Sequence, residues 1–389
     1  MDLLLSDARV VTPVGILDPG WVRVRGSAID AIGSGAPPLV DEQRSLAGRW
    51  IVPGFIDLHV HGGGGASMLT RDPAEVVAAA AFHASHGTTR IMASLVSAPL
   101  DATLAGLAAV RDATNDRGAG RPVVLGSHLE GPFINPDRGG AHDPDCLLAP
   151  DVATFARMLE AADGTLRVIT IAPELPGAPD LIRQAVAAGV IVALGHSEAD
   201  RATAEEAFDL GASLVTHLFN AMRPIDHRAP VLATSALTRA GVSSELIVDG
   251  IHLHDDIARL ALAAAPGRVA LVTDALPAAG LGDGEHVLGT RGVTIRHGVA
   301  RMSGTTTLAG STLTMDRAFR RVVADLGLSP HEASDASSGV PARVLGLGDV
   351  TGALAAGRDA DLVVLDDALE VAGVMVRGEW TASGRLFNP

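Results

Sequence analysis

The middle of the chain repeats one alternation. Short runs of aliphatic and β-branched residues are followed, in most cases, by alanine-rich stretches with helical character. The runs are IVPGFIDLHV (51–60), TTRIMASLVS (88–97), PVVLGSHLE (122–130), RVITIAPE (167–174), VIVALGHS (190–197), SLVTHLFN (213–220), ELIVDGIHL (245–253) and RVALVTDA (268–275). PAEVVAAAAFHASH, ATLAGLAAVRDA and RATAEEAFDLG are helical stretches between them. Eight strands with intervening helices predict an α/β fold of the (β/α)8 TIM-barrel type. The rival arrangement is a doubly wound open sheet, but no G-x-G-x-x-G follows the first strand.

Both ends of the chain read differently. LLLSDARVV, GWVRVRG and AIDAIG near the start, and DADLVVLD and GVMVRGEW near the end, are short strands punctuated by Gly and Pro. Neither end looks able to build a core alone. The economical expectation is one small β-sandwich domain made from residues 1–50 plus 350–389, with a hydrolase barrel over 51–349. After the eighth strand, GVTIRHGVARM predicts a hairpin insertion and STLTMDRAFRRVVADLG a helix.

Composition removes several functions. The chain has 389 residues, 47% of them hydrophobic, enough for a large core. A net charge of −15 argues against nucleic acid and anionic membrane as partners. An anionic substrate would need a local cationic pocket. No apolar run reaches the roughly 18 residues of a membrane helix. The start, MDLLLSDARVVTP, reads as a strand and not as a signal peptide. The single cysteine, Cys146, excludes an intrachain disulfide and any thiolate cluster, and fits a reducing, cytoplasmic location. All 30 basic residues are arginine. With no lysine, a lysine base, a Schiff base and a carbamylated lysine bridging metals are all excluded. Tyrosine is absent too.

The ends of the predicted strands carry the chemistry. His59 and His61 are two apart, so they share a face of the first strand, roughly 6–7 Å apart along it. Alone, this H-x-H is as compatible with a solvated strand tip as with a metal site. Glu130 ends the third run, His196 the fifth and His217 the sixth, and Asp274 stands at the end of the eighth. Barrel enzymes gather reacting groups at this edge, whereas core-filling positions would be Val, Ile or Leu. Imidazoles and carboxylates without cysteine suit a divalent ion: zinc as the leading expectation, then iron, manganese or cobalt. His128 shares strand parity with Glu130 and competes as a ligand, but is expected one layer deeper. His83, His86 and His254 read as structural or solvated.

PGFIDLHVHG, HLEGPF, GAH, ALGHS, THLFNAM, DGIHLH, LVTDA, LAGSTLTMDRA and G-x-DADLVVLD occur in this order and span nearly the whole chain. In this the chain resembles the N-acetylglucosamine-6-phosphate deacetylase family of the amidohydrolase superfamily. HLEGPF, HLFNAM and LAGSTLTMD are the more particular motifs. Many superfamily members bridge two metals with a carboxylated lysine. This family uses the glutamate of HLEGP instead, here Glu130.

The resemblance implies metal-dependent removal of acetate from an amino-sugar phosphate. Glu130, His196 and His217 would bind the main ion. His59, His61, Glu130 as bridge and Asp274 would furnish a second, giving one or two ions per subunit. Asp274 would be general base and then acid, and His142 would donate to the carbonyl oxygen. The backbone at Asn220 and Ala221, with Arg228 and His252, would hold the phosphate. Ala141, Leu308, Ala309 and Gly310 would line the sugar pocket. Arg228 would reach over from a neighbouring subunit, which implies a homodimer. Its local sequence departs from the family, with Val231 where a glycine usually follows the proline, so Arg223 and His227 are alternatives. Another N-acyl substrate is the competing expectation, either N-acetylgalactosamine 6-phosphate or an N-acyl amino acid.

Overall fold

The computed structural model describes residues 2–382 except 41, 117 and 119. Eight parallel strands lie side by side in chain order: Phe55–Asp57, Thr88–Val96, Val123–Glu130, Leu166–Ile171, Ile191–Leu194, Leu214–Val215, Ser243–Leu246 and Val269–Leu271. Helices separate most of them and cover the outside, so the strands are buried on both faces. Thr88–Val96 is buried at every position. This is the expected (β/α)8 barrel, nearly closed.

The first and eighth strands do not form a ladder. Their extensions meet instead. The Asp274 N–H donates to the His59 carbonyl at 2.8 Å, and the His61 N–H to the Ala275 carbonyl at 2.8 Å. Below them the buried Asp57 carboxylate accepts from the Thr273 hydroxyl at 2.6 Å and from the backbone N–H groups of Thr273 and His59 at 3.3 and 3.2 Å. A carboxyl group, which burial pushes up to about 7, therefore closes the seam directly beneath the H-x-H pair.

Strands from both chain ends form one further sheet. Its order runs from Glu379–Trp380 through Val371–Val376, Leu362–Leu365, Trp50–Pro53, Asp2–Thr12 and Gly15–Arg25 to Ala28–Ser34, and Glu42–Ser45 also pairs with Asp2–Thr12. Alternate residues divide between two cores. Val10, Ile51, Leu362 and Val364 pack within this sheet's own cluster. Val11, Val52, Val363 and Leu365 pack against the barrel core.

The run predicted as one first barrel strand serves both sheets. Trp50–Pro53 belongs to the terminal sheet, and Phe55–Asp57 starts the barrel. Gly54 sits between them, where a Cβ would lie 2.3 Å from Thr89 Oγ1. Only glycine allows that close approach.

The predicted hairpin is present as Arg291–Arg296 with Val299–Met302, and a third strand, Gly284–Leu288, extends it. Arg291 reaches back from it and donates to the His142 carbonyl at 3.0 Å. The predicted helix follows as Met315–Ala324. Among the described residues, no helix is long and apolar enough to cross a membrane.

Candidate active site

The six strand-end residues meet at one buried point. Glu130 lies at its centre. Its Oε1 is 3.0 Å from His217 Nε2, 3.1 Å from His196 Nε2 and 3.5 Å from His59 Nε2. Its Oε2 is 3.2 Å from His61 Nε2. Asp274 Oδ1 is 3.3 Å from His61 Nε2 and 3.6 Å from His59 Nε2. The imidazoles also face one another through Nε2, at 3.2 Å for His59 and His61 and 3.1 Å for His196 and His217.

Hydrogen bonds on the far side of the rings settle what those nitrogens can do. His196 Nδ1 is 2.8 Å from the Arg138 carbonyl, and His61 Nδ1 is 3.1 Å from the Ser94 carbonyl. A carbonyl only accepts, so both Nδ1 atoms carry hydrogen and both Nε2 atoms present lone pairs. His59 Nδ1 likewise donates to the Glu245 carboxylate at 2.9 Å. In the neutral rings, lone pairs and carboxylate oxygens thus face each other with no hydrogen to share, so either added protons or a cation must lie between them. Two donors about 2.0–2.1 Å from one tetrahedral ion stand roughly 3.3 Å apart, close to the separations here. The donor set fits one or two divalent ions, with Glu130 placed between the two groups.

The titration of the groups carries the same message. Burial alone would lower His59 and His61. The carboxylates of Glu130, Glu245 and Asp274 outweigh it and hold His59 well above the usual range. Hydrogen bonds to Asp274 and Glu130 likewise lift His61 to about 9. Burial opposes ionisation of Asp274 too, yet the His59 and His61 charges keep it at about 2. Without a cation, protons on the histidines supply the positive charge that the carboxylates require.

His142 is the exception among the imidazoles. Its Nε2 is 3.1 Å from Glu130 Oε2, as near as a ligand would be. Its Nδ1, however, accepts from the Ser97 N–H at 3.3 Å and lies 2.8 Å from the Ser97 hydroxyl. Nε2 therefore bears the hydrogen and points inward as a donor. Burial pushes this imidazole down to about 4, so it is neutral.

Several rim residues hold unusual backbone conformations. His196, His217 and Asp274 have φ of 49°, 26° and 49°, and Phe219 and Ala221 have 76° and 51°. Left-handed conformations are uncommon for residues other than glycine, and they cluster where surrounding structure enforces them. Glycine does a different task after the H-x-H pair. A Cβ on Gly63 would lie 2.4 Å from the Phe82 ring, so this turn packs against the helix Pro73–Ala84 only without side chains.

Above the cluster opens a pocket of about 360 Å³, lined by Ala141, His142, Asn220, Ala221, His252, Leu308 and Gly310 as well as the ligand-type residues. His252 donates from Nδ1 to Asp249 at 2.8 Å. Burial opposes the charged form, but Asp249 raises its pKa. Ala309 does not line the pocket. Its side chain is fully buried with Val293 and Ile295 of the hairpin sheet. Arg228 is also outside, exposed with Arg223 and His227 on a loop that Asp226 orders by accepting from the N–H groups of Arg228 and Ala229. A cleft of about 400 Å³ lies elsewhere, between Val11–Pro13 and residues 334–343, but its Arg343 already pairs with Asp335 and no ligand-type cluster faces it.

His128 lies one layer deeper, with both ring nitrogens on hydroxyls: Ser94 at 3.0 Å and Thr170 at 2.9 Å. His83 Nε2 donates to the Gly62 carbonyl at 2.9 Å within the fold, and His254 caps the helix Asp255–Ala264. Sequence reading missed three residues. Arg138 lines the pocket and pairs with Glu198. It is the one basic side chain in the stretch leading to His142. Asp57 and Glu245 lie beneath the cluster; the signal for Asp57 was a carboxylate inside an apolar run, and for Glu245 a carboxylate opening one.

Residues 50–381 match the family model described as the amidohydrolase family. The chain belongs to the amidohydrolase family. Among curated relatives of this amidohydrolase, the N-acetylglucosamine-6-phosphate deacetylase of Bos taurus is 42% identical over 88% of this chain and 85% of its own length. The N-acetylgalactosamine-6-phosphate deacetylase of Escherichia coli O157:H7 is 35% identical over 97% and 99%. A solved structure of a Mycobacterium smegmatis N-acetyl-D-glucosamine-6-phosphate deacetylase mutant, in complex with N-acetyl-D-glucosamine-6-phosphate, aligns with a TM-score of 0.93. It is 41% identical, over 97% of this chain and 99% of that one.

Proposed function

We propose that this amidohydrolase converts N-acetyl-D-glucosamine 6-phosphate and water to D-glucosamine 6-phosphate and acetate. The observation that carries the reading is the set of imidazole lone pairs around Glu130 at the floor of a pocket of about 360 Å³, with His142 N–H beside them. Relatives that share 34–42% of their residues with the chain are named for this deacetylation.

Glu130, His196 and His217 would hold the main ion, and His59, His61 and Asp274, with Glu130 between, a second. Zinc is the proposed metal, since a cradle of nitrogens and oxygens without sulfur accepts it readily. A bound divalent ion lowers the pKa of water from about 15.7 towards about 7. Asp274, ionised and at the pocket floor, accepts a proton from the water that adds to the acetamide carbonyl. It then returns that proton to the departing amine as the C–N bond breaks. His142 Nε2–H donates to the carbonyl oxygen as negative charge develops there. Its neutrality keeps that hydrogen in place across the working pH range.

For the phosphate, His252 and the Ala221 N–H would supply donors within the pocket, while the Asn220 N–H already donates to the His217 carbonyl at 3.0 Å. Arg228 is exposed and lines no part of its own subunit's pocket. The proposed arrangement is a homodimer in which each Arg228, exposed on its loop, reaches the neighbouring pocket. The single cysteine supports a cytoplasmic location. The E. coli relative favours one second reading, the galacto epimer.

Acetate release from N-acetylglucosamine 6-phosphate, its galacto epimer and unphosphorylated N-acetylglucosamine tests the proposal, alongside metal analysis of the protein. Faster turnover of the phosphorylated gluco sugar is expected. Equal rates with and without phosphate would remove the phosphate site.

A further inference from the structure

We infer that Glu245 is a positioning residue that decides whether the His59/His61 side of the site loads an ion. The inference rests on the metal-binding reading above and not on the identity of the substrate.

Glu245 lies in the seventh barrel strand, Ser243–Leu246, fully buried beneath the cluster. A carboxylate in such a place is costly unless paired. Among the described residues, no arginine pairs with it. Its Oε2 accepts from His59 Nδ1–H at 2.9 Å and from the His217 N–H at 3.2 Å, while its Oε1 is buried with no hydrogen-bond partner. The one side chain that compensates Glu245 is therefore His59.

The other rings show why this contact matters. Backbone carbonyls fix the orientation of His61 and His196, through Ser94 and Arg138. Among the four ligand-type histidines, His217 Nδ1 has no hydrogen-bond partner and His59 is the one whose tautomer is set by a side chain. Without an acceptor at Nδ1, the neutral ring can carry its one hydrogen on Nε2, towards the carboxylates of Glu130 at 3.5 Å and Asp274 at 3.6 Å. His59 would then face the carboxylates as a donor instead of presenting a lone pair to an ion. Glu245 blocks that collapse. Its second bond, to the backbone N–H of His217, ties His59 to a ligand of the main site.

The test counts ions. Apo protein, wild type and the variants Glu245→Gln, Glu245→Leu and Glu245→Asp, would be titrated with Zn²⁺ and with Co²⁺. Bound metal would be measured by atomic emission, and histidine ligation by the visible Co²⁺ spectrum. Glu245→Leu should hold one ion where the wild type holds two, matching His59→Asn. Glu245→Gln keeps an acceptor oxygen but not the charge, and should bind the second ion about 10–100-fold more weakly, as for other outer partners of ligating histidines. Glu245→Asp should recover part of that loss. If the leucine variant fails to fold, the glutamine variant decides. Two ions bound with wild-type affinity by a folded Glu245→Gln would overturn the inference, as would parallel loss of both ions. A wild type that binds only one ion at saturation would overturn the two-ion reading itself, whatever acetate release shows.

Discussion

We predict that ion uptake by the His59/His61 side expels protons, and that its stabilising effect grows with pH. His61 sits at about 9 in the absence of metal, against an ordinary value of 6.5, and His59 is also raised. At pH 7 a group with a pKa of about 9 is protonated by roughly 100 to 1. An ion must therefore displace a proton from each ring. The sign of the stability term follows from linkage. Raised histidine pKa values stabilise the metal-free protein fully below about pH 6.5, and that contribution is lost as pH rises to about 9. For His61 the shift corresponds to about 3 kcal/mol. Ion binding runs the other way and strengthens over the same window. Calorimetric titration with Zn²⁺ in buffers of different ionisation enthalpy should show one to two protons released per second ion near pH 7. The ion-induced rise in Tm should be small at pH 6 and large at pH 9. Ion affinity that is flat between those values, or proton release near zero, would refute this account of the charge balance.

Asp274→Asn should retain the ion held by Glu130, His196 and His217 while losing about 10²–10⁴-fold in kcat, measured by acetate release with parallel metal analysis. Surviving turnover would move the proton-transfer role elsewhere. His142→Gln should lower kcat by about 10²–10³ with little change in KM, since its N–H bonds most strongly as charge develops. Arg228→Ala should raise KM for the phosphorylated sugar by about 10–100-fold, the worth of one charge-assisted hydrogen bond. It should leave the unphosphorylated sugar unaffected. If Arg138→Ala does this and Arg228→Ala does not, the phosphate is held within the subunit.

What the sequence made legible followed from periodicity and position. Strand-end residues such as Glu130, His196 and His217 were readable because a polar side chain closing an apolar run has few structural uses in a barrel. The hairpin after the eighth strand was readable from its turn glycine. Glu245 and Asp57 were not, because Asp57 interrupts an apolar run and Glu245 opens one instead of ending it, and only the barrel's curvature brings them under His59. The split of residues 51–60 between two sheets was hidden for a related reason. Both halves are equally apolar, and the need for Gly54 comes from Thr89 on another strand. Arg138 was overlooked in a loop whose direction no periodicity sets.

The cluster also explains how a chain of net charge −15 could attract a sugar phosphate. Glu130, Asp274 and Glu245 place three carboxylates under the pocket floor, and Arg138, the basic residue that lines it, is already paired with Glu198. With neutral histidines and no cation, that floor repels an anion. Protons on His59 and His61, or one divalent ion, leave a single net negative charge there, and a second ion makes it positive. Filling the site therefore does more than supply reactivity. In a partly buried pocket, where screening is weak, it changes the sign of the field that a phosphate meets on entry. Substrate affinity and turnover should then depend on the same ions. His59, and the Glu245 beneath it, govern how far that reversal goes.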